Sequence, residues 1–120
     1  MTMTAASVDL DVDALTAAAC MFHGFSDRSR LAILQHLLLG EHKVVELTEH
    51  LGLAQSTVSK HLACLKDCGL VVSRPEGRAS VFSVTHPDSI TDLLSAAERL
   101  LDLTGYAVTL CPNHGVSAHD

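Results

Sequence analysis

The fold of this chain is decided by residues 44–68, which read VVELTEHLGLAQSTVSKHLACLKDC. The pattern predicts a short helix over about Val44–His50 and a second over about Gln55–Cys68, connected by residues 52–55. A connection of this length is typical of a helix-turn-helix. On the second helix three apolar residues share one face, and three polar residues near the amino end point away from it; these are Val58, Leu62 and Leu65, and Ser56, Ser59 and Lys60.

The flanking segments predict a winged form of this motif. Residues 70–74 and 80–84 are β-rich and Pro75-Glu76-Gly77 supplies turn chemistry between them, so we expect a β-hairpin. Helical periodicity predicts three further helices. The first covers about residues 9–24, the second runs from a cap at Ser26 or Asp27 up to Gly40, and the last covers about residues 88–104. The expected fold is mainly α with a β-hairpin wing: a winged helix-turn-helix domain over residues 9–104, after a disordered start at 1–8 and before a tail at 105–120.

The last predicted helix has a broad apolar stripe, and the first has apolar residues at helical spacing. A chain of 120 residues offers few surfaces on which to bury both. We therefore expect a two-fold dimer that forms through the first and last helices. The alternative, in which both helices fold back on their own core, stays open.

The formal net charge of −6 argues against binding to nucleic acid in general, but the charge is unevenly distributed. Residues 55–80 are locally basic, which allows a basic face on an acidic body. No segment is long and apolar enough to span a bilayer, and acidic residues occupy the start where a secretory signal carries Lys or Arg, so we expect a cytoplasmic protein without a membrane partner. Enzymatic function is not expected, because no catalytic triad order, phosphate loop or carboxylate pair is recognisable.

The second helix of the motif and the wing carry the candidate DNA contacts, because a recognition helix enters the major groove and a basic wing tracks phosphates. An ordinary solvated helix start is the alternative for any single residue. The candidates are Gln55, Ser56, Thr57, Ser59, Lys60 and His61 on the helix, and Arg74 and Arg78 on the wing.

Four cysteines are more typical of thiols or metal ligands than of disulfides in a reducing compartment. Cys64 and Cys68 are four residues apart on the predicted recognition helix, so their Cβ atoms should lie about 5 to 6 Å apart on one face. This spacing suits two ligands of one metal, and two small buried side chains are the alternative. Cys20 is expected to pack in the core, with an auxiliary metal ligand as the minority interpretation, as for His23 and His114.

Two segments resemble the ArsR/SmtB family of repressors: residues 22–34, FHGFSDRSRLAIL, and residues 56–62, STVSKHL. Residues 59–72, SKHLACLKDCGLVV, are especially similar to the CmtR-type cadmium and lead sensors of that family. The resemblance implies a third thiolate from the carboxy-terminal region of the other protomer, a role that Cys111 matches. Whether Cys111 binds within one protomer or across the dimer stays open.

The resemblance further implies an apo homodimer that binds double-stranded operator DNA and is released by metal. Three thiolates without an obvious fourth ligand favour Cd(II) or Pb(II) as effector over As(III) or Zn(II). Two alternatives stay open: a repressor that senses thiol oxidation, and a metal-binding or interaction module without a DNA role.

Overall fold

Five helices and a small antiparallel sheet make up the computed structural model, which describes the backbone of residues 3–112 and the side chains of residues 12–112. The strands lie in the order β1-β3-β2. The predicted fold class is confirmed. The elements are α1 (Met3–Gly24), α2 (Arg28–Leu39), β1 (His42–Lys43), α3 (Val44–Leu51), α4 (Gln55–Asp67), β2 (Val71–Glu76), β3 (Ala79–Val84) and α5 (Pro87–Leu103).

The helix-turn-helix consists of α3 and α4, within one residue of the predicted bounds. Gly52 closes α3 in the left-handed conformation, at φ 68°, and its N–H donates to the carbonyl of Thr48. A residue with a Cβ is disfavoured at this φ, so the glycine allows the sharp turn into α4.

The core lies where α2, α3 and α4 meet. The Asp27 carboxylate starts α2 as its N-cap, accepting hydrogen bonds from the backbone N–H groups of Ser29 and Arg30. The predicted apolar face of α4 is buried against α2 and α3. The most deeply buried side chains, each at most 1% exposed, include Ile33, Leu34, Leu47, Val58, Leu62, Leu65 and Val71.

The sheet differs from the prediction in two ways. A two-residue strand, β1, pairs His42 with Phe82 and Lys43 with Val81, and a strand this short leaves no periodic pattern to detect. The hairpin also turns later than predicted, because β2 runs through Pro75, which pairs with Ser80. Proline is tolerated there since β2 is an edge strand, and Gly77 at φ 64° makes the turn with Arg78.

The first helix begins at Met3, so the start predicted at about residue 9 was wrong. Of the eight residues expected to be disordered, residues 3–8 belong to α1, and residues 1–2 lie outside the described part. Ala5 and Ala6 have the highest helix propensity, and extending an existing helix by further residues costs little. The predicted helix therefore continues towards the amino terminus.

Both α1 and α5 expose several large apolar side chains, whereas α2 and α3 expose one each, Leu39 and Val45. On α1, Val12 and Leu15 are each 67% exposed, and on α5 Leu103 is 83% exposed. Phe22 and Leu100 are also more than half exposed. In the described residues no helix is long and apolar enough to cross a membrane.

Residues 110–111, from the predicted tail, return to the core. The Gln35 side-chain amide donates a hydrogen bond to the Leu110 carbonyl over 2.7 Å. The Glu98 carboxylate accepts hydrogen bonds from the backbone N–H groups of both Leu110 and Cys111. These contacts leave the Cys111 side chain only 4% exposed. Residues 113–120 lie outside the described part.

Candidate metal centre on the recognition helix

The exposed side of α4 presents the side chains predicted to contact DNA. Gln55, Ser56, Ser59 and Lys60 are exposed and Thr57 is half-buried, whereas Val58 is fully buried on the opposite side. A helix of this kind has one side free for a groove and one fixed to the protein.

His61 faces the protein rather than the exposed side of α4. Its Nε2 lies 3.7 Å from Asp27 Oδ2, and its Nδ1 lies 3.4 Å from Arg30 Nη1. Arg30 is itself buried and donates to the carbonyls of His23 and Gly24 at the end of α1. His61 therefore belongs to a polar network that joins α1, α2 and α4.

The two wing arginines differ in their surroundings. The Arg74 guanidinium forms ion pairs with Glu41 and Glu76, and these carboxylates raise the pKa of Arg74, with Glu41 contributing most. Arg78 lies exposed at the hairpin turn, and no ion pair to it is found in the described part of the chain. The charge of Arg74 is thus partly neutralised, which leaves Arg78 as the freer cation of the wing.

Cys20 and Cys68 lie in contact, although the sequence suggested core packing for Cys20. Their Sγ atoms are 3.1 Å apart, and the Cys68 thiol donates a hydrogen bond to the Cys20 carbonyl over 2.9 Å. Gly24 allows this approach: a Cβ there would lie 2.7 Å from Leu70 Cδ1 and 3.9 Å from Cys68 Cβ. The end of α1 therefore packs against the end of α4. The exposed Cys20 lies one helical turn before Gly24, the last residue of α1.

Cys64 is the third of three neighbouring thiols. Cys64 and Cys20 are both close enough to Cys68 to raise the pKa of its thiol. Burial raises the pKa of the Cys68 thiol to about 12, and the interactions with Cys20 and Cys64 act in the same direction. Cys68 is therefore a neutral thiol at neutral pH when no metal is bound. The predicted pair of thiols on α4 thus gains a third thiol from α1, which we call the α1–α4 thiol group (Cys20, Cys64 and Cys68).

The α1–α4 thiol group has the donor chemistry for a thiophilic ion but not yet the arrangement of a metal site. With a zinc–sulfur bond of about 2.3 Å, two thiolates on a tetrahedral ion lie about 3.8 Å apart, more than the observed 3.1 Å. A larger soft ion would require a wider separation still. In the described residues no three His, Cys, Asp or Glu side chains already have the arrangement of a metal site. A bound ion would therefore have to separate the Cys20 and Cys68 sulfurs and remove their protons.

Cys111 is not brought to these thiols within one protomer. Its Sγ lies 3.3 Å from Ser95 Oγ and 3.6 Å from the Thr91 carbonyl, both on α5. No contact in the described part of the chain joins it to Cys64 or Cys68. His23, a minority candidate, is exposed, and His114 lies outside the described residues.

Comparisons with known proteins identify the family of this chain. Residues 27–73 match the family described as bacterial regulatory protein, arsR family. The chain is 39% identical over 93 residues to a probable mercury resistance operon repressor of Streptomyces lividans, covering 78% of this chain and 74% of that one.

Two solved structures extend the likeness. The homodimeric winged helix-turn-helix DNA-binding domain of Mb0332 from Mycobacterium bovis superposes with a TM-score of 0.67 at 27% identity, covering 78% of this chain and 91% of that one. The cadmium metal-sensor CMTR from Mycobacterium tuberculosis superposes with a TM-score of 0.54 at 37% identity, covering 63% of this chain and 82% of that one. The chain therefore belongs to the arsR family of bacterial regulatory proteins, which are DNA-binding transcription regulators and not enzymes.

Proposed function

We propose that this protein is a cytoplasmic repressor that binds operator DNA as an apo homodimer and is released when Cd(II) or Pb(II) binds to cysteine thiolates. The observation that carries the proposal is the α1–α4 thiol group, because Cys64 lies on the proposed DNA-reading helix α4 and Cys68 is the C-cap of that helix. A ligand bound at that place acts on the recognition helix directly.

The dimer is supported by the exposed apolar faces of α1 and α5. Leu15 and Phe22 on α1, and Leu100 and Leu103 on α5, are all more than half exposed. Exposed apolar surface of this kind marks an interaction site. A two-fold axis through these helices places two α4 helices one DNA turn apart, about 34 Å, on a palindromic operator.

The proposed DNA contacts are the exposed residues at the start of α4 and the wing. Gln55, Ser56, Thr57 and Ser59 supply hydrogen-bonding groups for base edges and phosphates, and Lys60 and Arg78 supply positive charge. We assign supporting roles to His61, which holds α4 against Asp27, and to Arg74, which pairs with Glu41.

The proposed metal ligands are Cys64 and Cys68 with a third thiolate. Within one protomer Cys20 is favoured as the third, because its sulfur already touches that of Cys68. To reach α4 of its own protomer, Cys111 would first have to leave the contact of its backbone with Glu98 and of its thiol with Ser95. Across the dimer, Cys111 stays the third ligand that the resemblance implies.

Three thiolates without a fixed fourth ligand suit soft ions. Thiolate ligands select thiophilic metals, and structural zinc prefers four ligands in a tetrahedron. Cd(II) and Pb(II) are therefore favoured over Zn(II). Hg(II), suggested by the name of the Streptomyces lividans relative, and As(III) share this chemistry, so a panel of metals must rank them.

Metal binding would act on DNA affinity through the junction of α1 and α4. Bonds from one ion to Cys20 and Cys68 tie the dimerisation helix to the carboxyl end of the recognition helix. The spacing or orientation of the two α4 helices then changes in the dimer. Because the coupling is reciprocal, operator DNA must weaken metal binding by the same factor.

A test of this assignment follows operator release by fluorescence anisotropy and metal binding by sulfur-to-cadmium charge-transfer absorbance. We expect Cys64→Ser and Cys68→Ser to keep operator binding and to lose its reversal by Cd(II). Cys20→Ser should lose part of the absorbance, whereas Cys111→Ser should keep both signals. Normal release of the operator by Cd(II) in the Cys64→Ser and Cys68→Ser variants would refute the site. If Cys111→Ser lost release and absorbance and Cys20→Ser did not, the third ligand would be Cys111.

A second candidate function is favoured by the same sulfur contact. A peroxide could oxidise Cys20 to a sulfenic acid with release of one water. Attack by the Cys68 sulfur, with loss of its thiol proton, would then form a disulfide and release a second water. In that case oxidation would release the operator without metal. Peroxide treatment followed by mass spectrometry and anisotropy separates this function from metal sensing.

A further inference from the structure

Three histidine rings from three different elements meet on the side of the domain formed by α2, β1 and α3. His36 lies in the last turn of α2, His42 on β1 and His50 in the last turn of α3. Their ring centroids are 5.2 Å apart for His36 and His50, 5.5 Å for His42 and His50, and 6.2 Å for His36 and His42. None of these residues belongs to the α1–α4 thiol group or to the proposed DNA contacts. We call them the histidine trio.

The spacing of the trio is close to that of imidazoles around one metal ion. With metal–nitrogen bonds of about 2.0 to 2.1 Å, three imidazoles on a tetrahedral ion have ring centroids about 5.2 Å apart. One separation in the trio equals this value, and the others exceed it by 0.3 and 1.0 Å. Within the described residues no such group is already arranged to hold a metal, so the ion would have to rotate the rings. His50 is exposed and the other two are half-buried, which leaves room for that rotation.

Hydrogen bonding prepares one ring for coordination. Nδ1 of His42 lies 2.7 Å from the carbonyl oxygen of Gly40. Since a carbonyl only accepts, Nδ1 carries the proton and Nε2 keeps a free lone pair when the ring is neutral. Metal-ligating histidines commonly have this carbonyl contact on the other nitrogen, which orients the ring.

The surroundings also favour the neutral form of His36. Burial, and then the neighbouring His50 and His42, lower the pKa of His36. A neutral imidazole can donate its lone pair to a metal, whereas an imidazolium cannot.

We propose that His36, His42 and His50 form a second metal site, for a borderline divalent ion such as Zn(II), Co(II) or Ni(II), with solvent in the remaining positions. Imidazole nitrogen suits these ions, whereas the thiol group suits softer ones. The bound ion would join α2 and β1 to α3, the first helix of the helix-turn-helix. The inference does not depend on the thiolate site, since the two share no residue.

The test uses the full-length protein with Cys64→Ser and Cys68→Ser, so that the proposed thiolate site is silent. Co(II) is titrated and followed by visible absorbance, and Zn(II) by calorimetry. We expect one ion per protomer and Co(II) bands without intense thiolate charge transfer. His50→Gln and His42→Gln should each weaken binding at least tenfold, because each removes one of three protein ligands.

Two controls keep the result specific. His86→Gln alters an exposed histidine at the start of α5, outside the trio, and should leave Co(II) binding unchanged. His114→Gln with His119→Gln tests the histidines near the carboxyl terminus in the same way. Circular dichroism of the His50→Gln and His42→Gln variants confirms that they are folded. Co(II) binding that survives both trio variants, or that disappears only with the pair at 114 and 119, would overturn the proposal.

Discussion

Replacing Glu98 by alanine should expose Cys111 to thiol reagents. The Glu98 carboxylate accepts two backbone hydrogen bonds, from Leu110 and from Cys111, and these help to hold the segment against α5. A hydrogen bond to a charged group contributes about 1.5 to 3 kcal/mol, so the two together contribute at least about 3 kcal/mol to keeping the segment closed. Gln35 holds the same segment from α2 and remains in the variant.

The expected size of the effect follows from this sum. Labelling of a buried thiol requires local opening, and each 1.4 kcal/mol changes the opening equilibrium about tenfold. Glu98→Ala should therefore accelerate labelling of Cys111 roughly a hundredfold. Glu98→Gln keeps an oxygen acceptor and loses the charge, so its acceleration should be smaller.

The assay is a time course of N-ethylmaleimide modification, with each cysteine read separately by peptide mass spectrometry. Cys20 is exposed and serves as the internal reference. In the unsubstituted protein Cys111 should react far more slowly than Cys20. Equal rates for the two thiols, or a Cys111 rate unchanged in Glu98→Ala, would refute the assignment of Cys111 to the core of its own protomer.

Three further predictions concern α4. Lys60→Ala should weaken binding to all DNA sequences alike and reduce the slope of log affinity against log salt by about 1, measured by anisotropy at several salt concentrations. Leu62→Ala should destabilise the fold by about 2 to 5 kcal/mol, because Leu62 is 1% exposed, and the loss should be seen as a lower Tm. The control, Ala63→Ser on the exposed side, should change stability by no more than about 0.5 kcal/mol. Because Cys68 is a protonated thiol at neutral pH, Cd(II) affinity should rise by at least about tenfold per pH unit below its raised pKa, and an affinity independent of pH would exclude Cys68 as a ligand.

The elements that the sequence predicted best are those that local chemistry determines. The helix-turn-helix follows from the apolar positions of α4 and from Gly52, and the Asp27 cap follows from its own side chain. Strand β1 escaped prediction because two residues carry no period, and its pairing with Phe82 depends on a distant strand. The late hairpin turn depends on β2 being an edge strand, which only the assembled sheet determines.

The candidate site was predictable only within single helices. Cys64 and Cys68 could be paired by their spacing on α4, but the contact between Cys20 and Cys68 spans 48 residues. The close packing at Gly24 that creates this contact has no local pattern. The histidine trio also joins three elements. The burial of Cys111 depends on Glu98 and Gln35, neither of which is near it in sequence.

The measurement that tests the central claim most directly is the Cd(II) affinity of the dimer, determined free and bound to its operator. If metal at the recognition helix controls DNA binding, the operator-bound dimer should bind Cd(II) more weakly, by a factor of about 5 to 150. The same factor should separate the operator affinities with and without Cd(II), and Cys68→Ser should abolish both differences. Equal Cd(II) affinity in the free and operator-bound dimer would contradict the account.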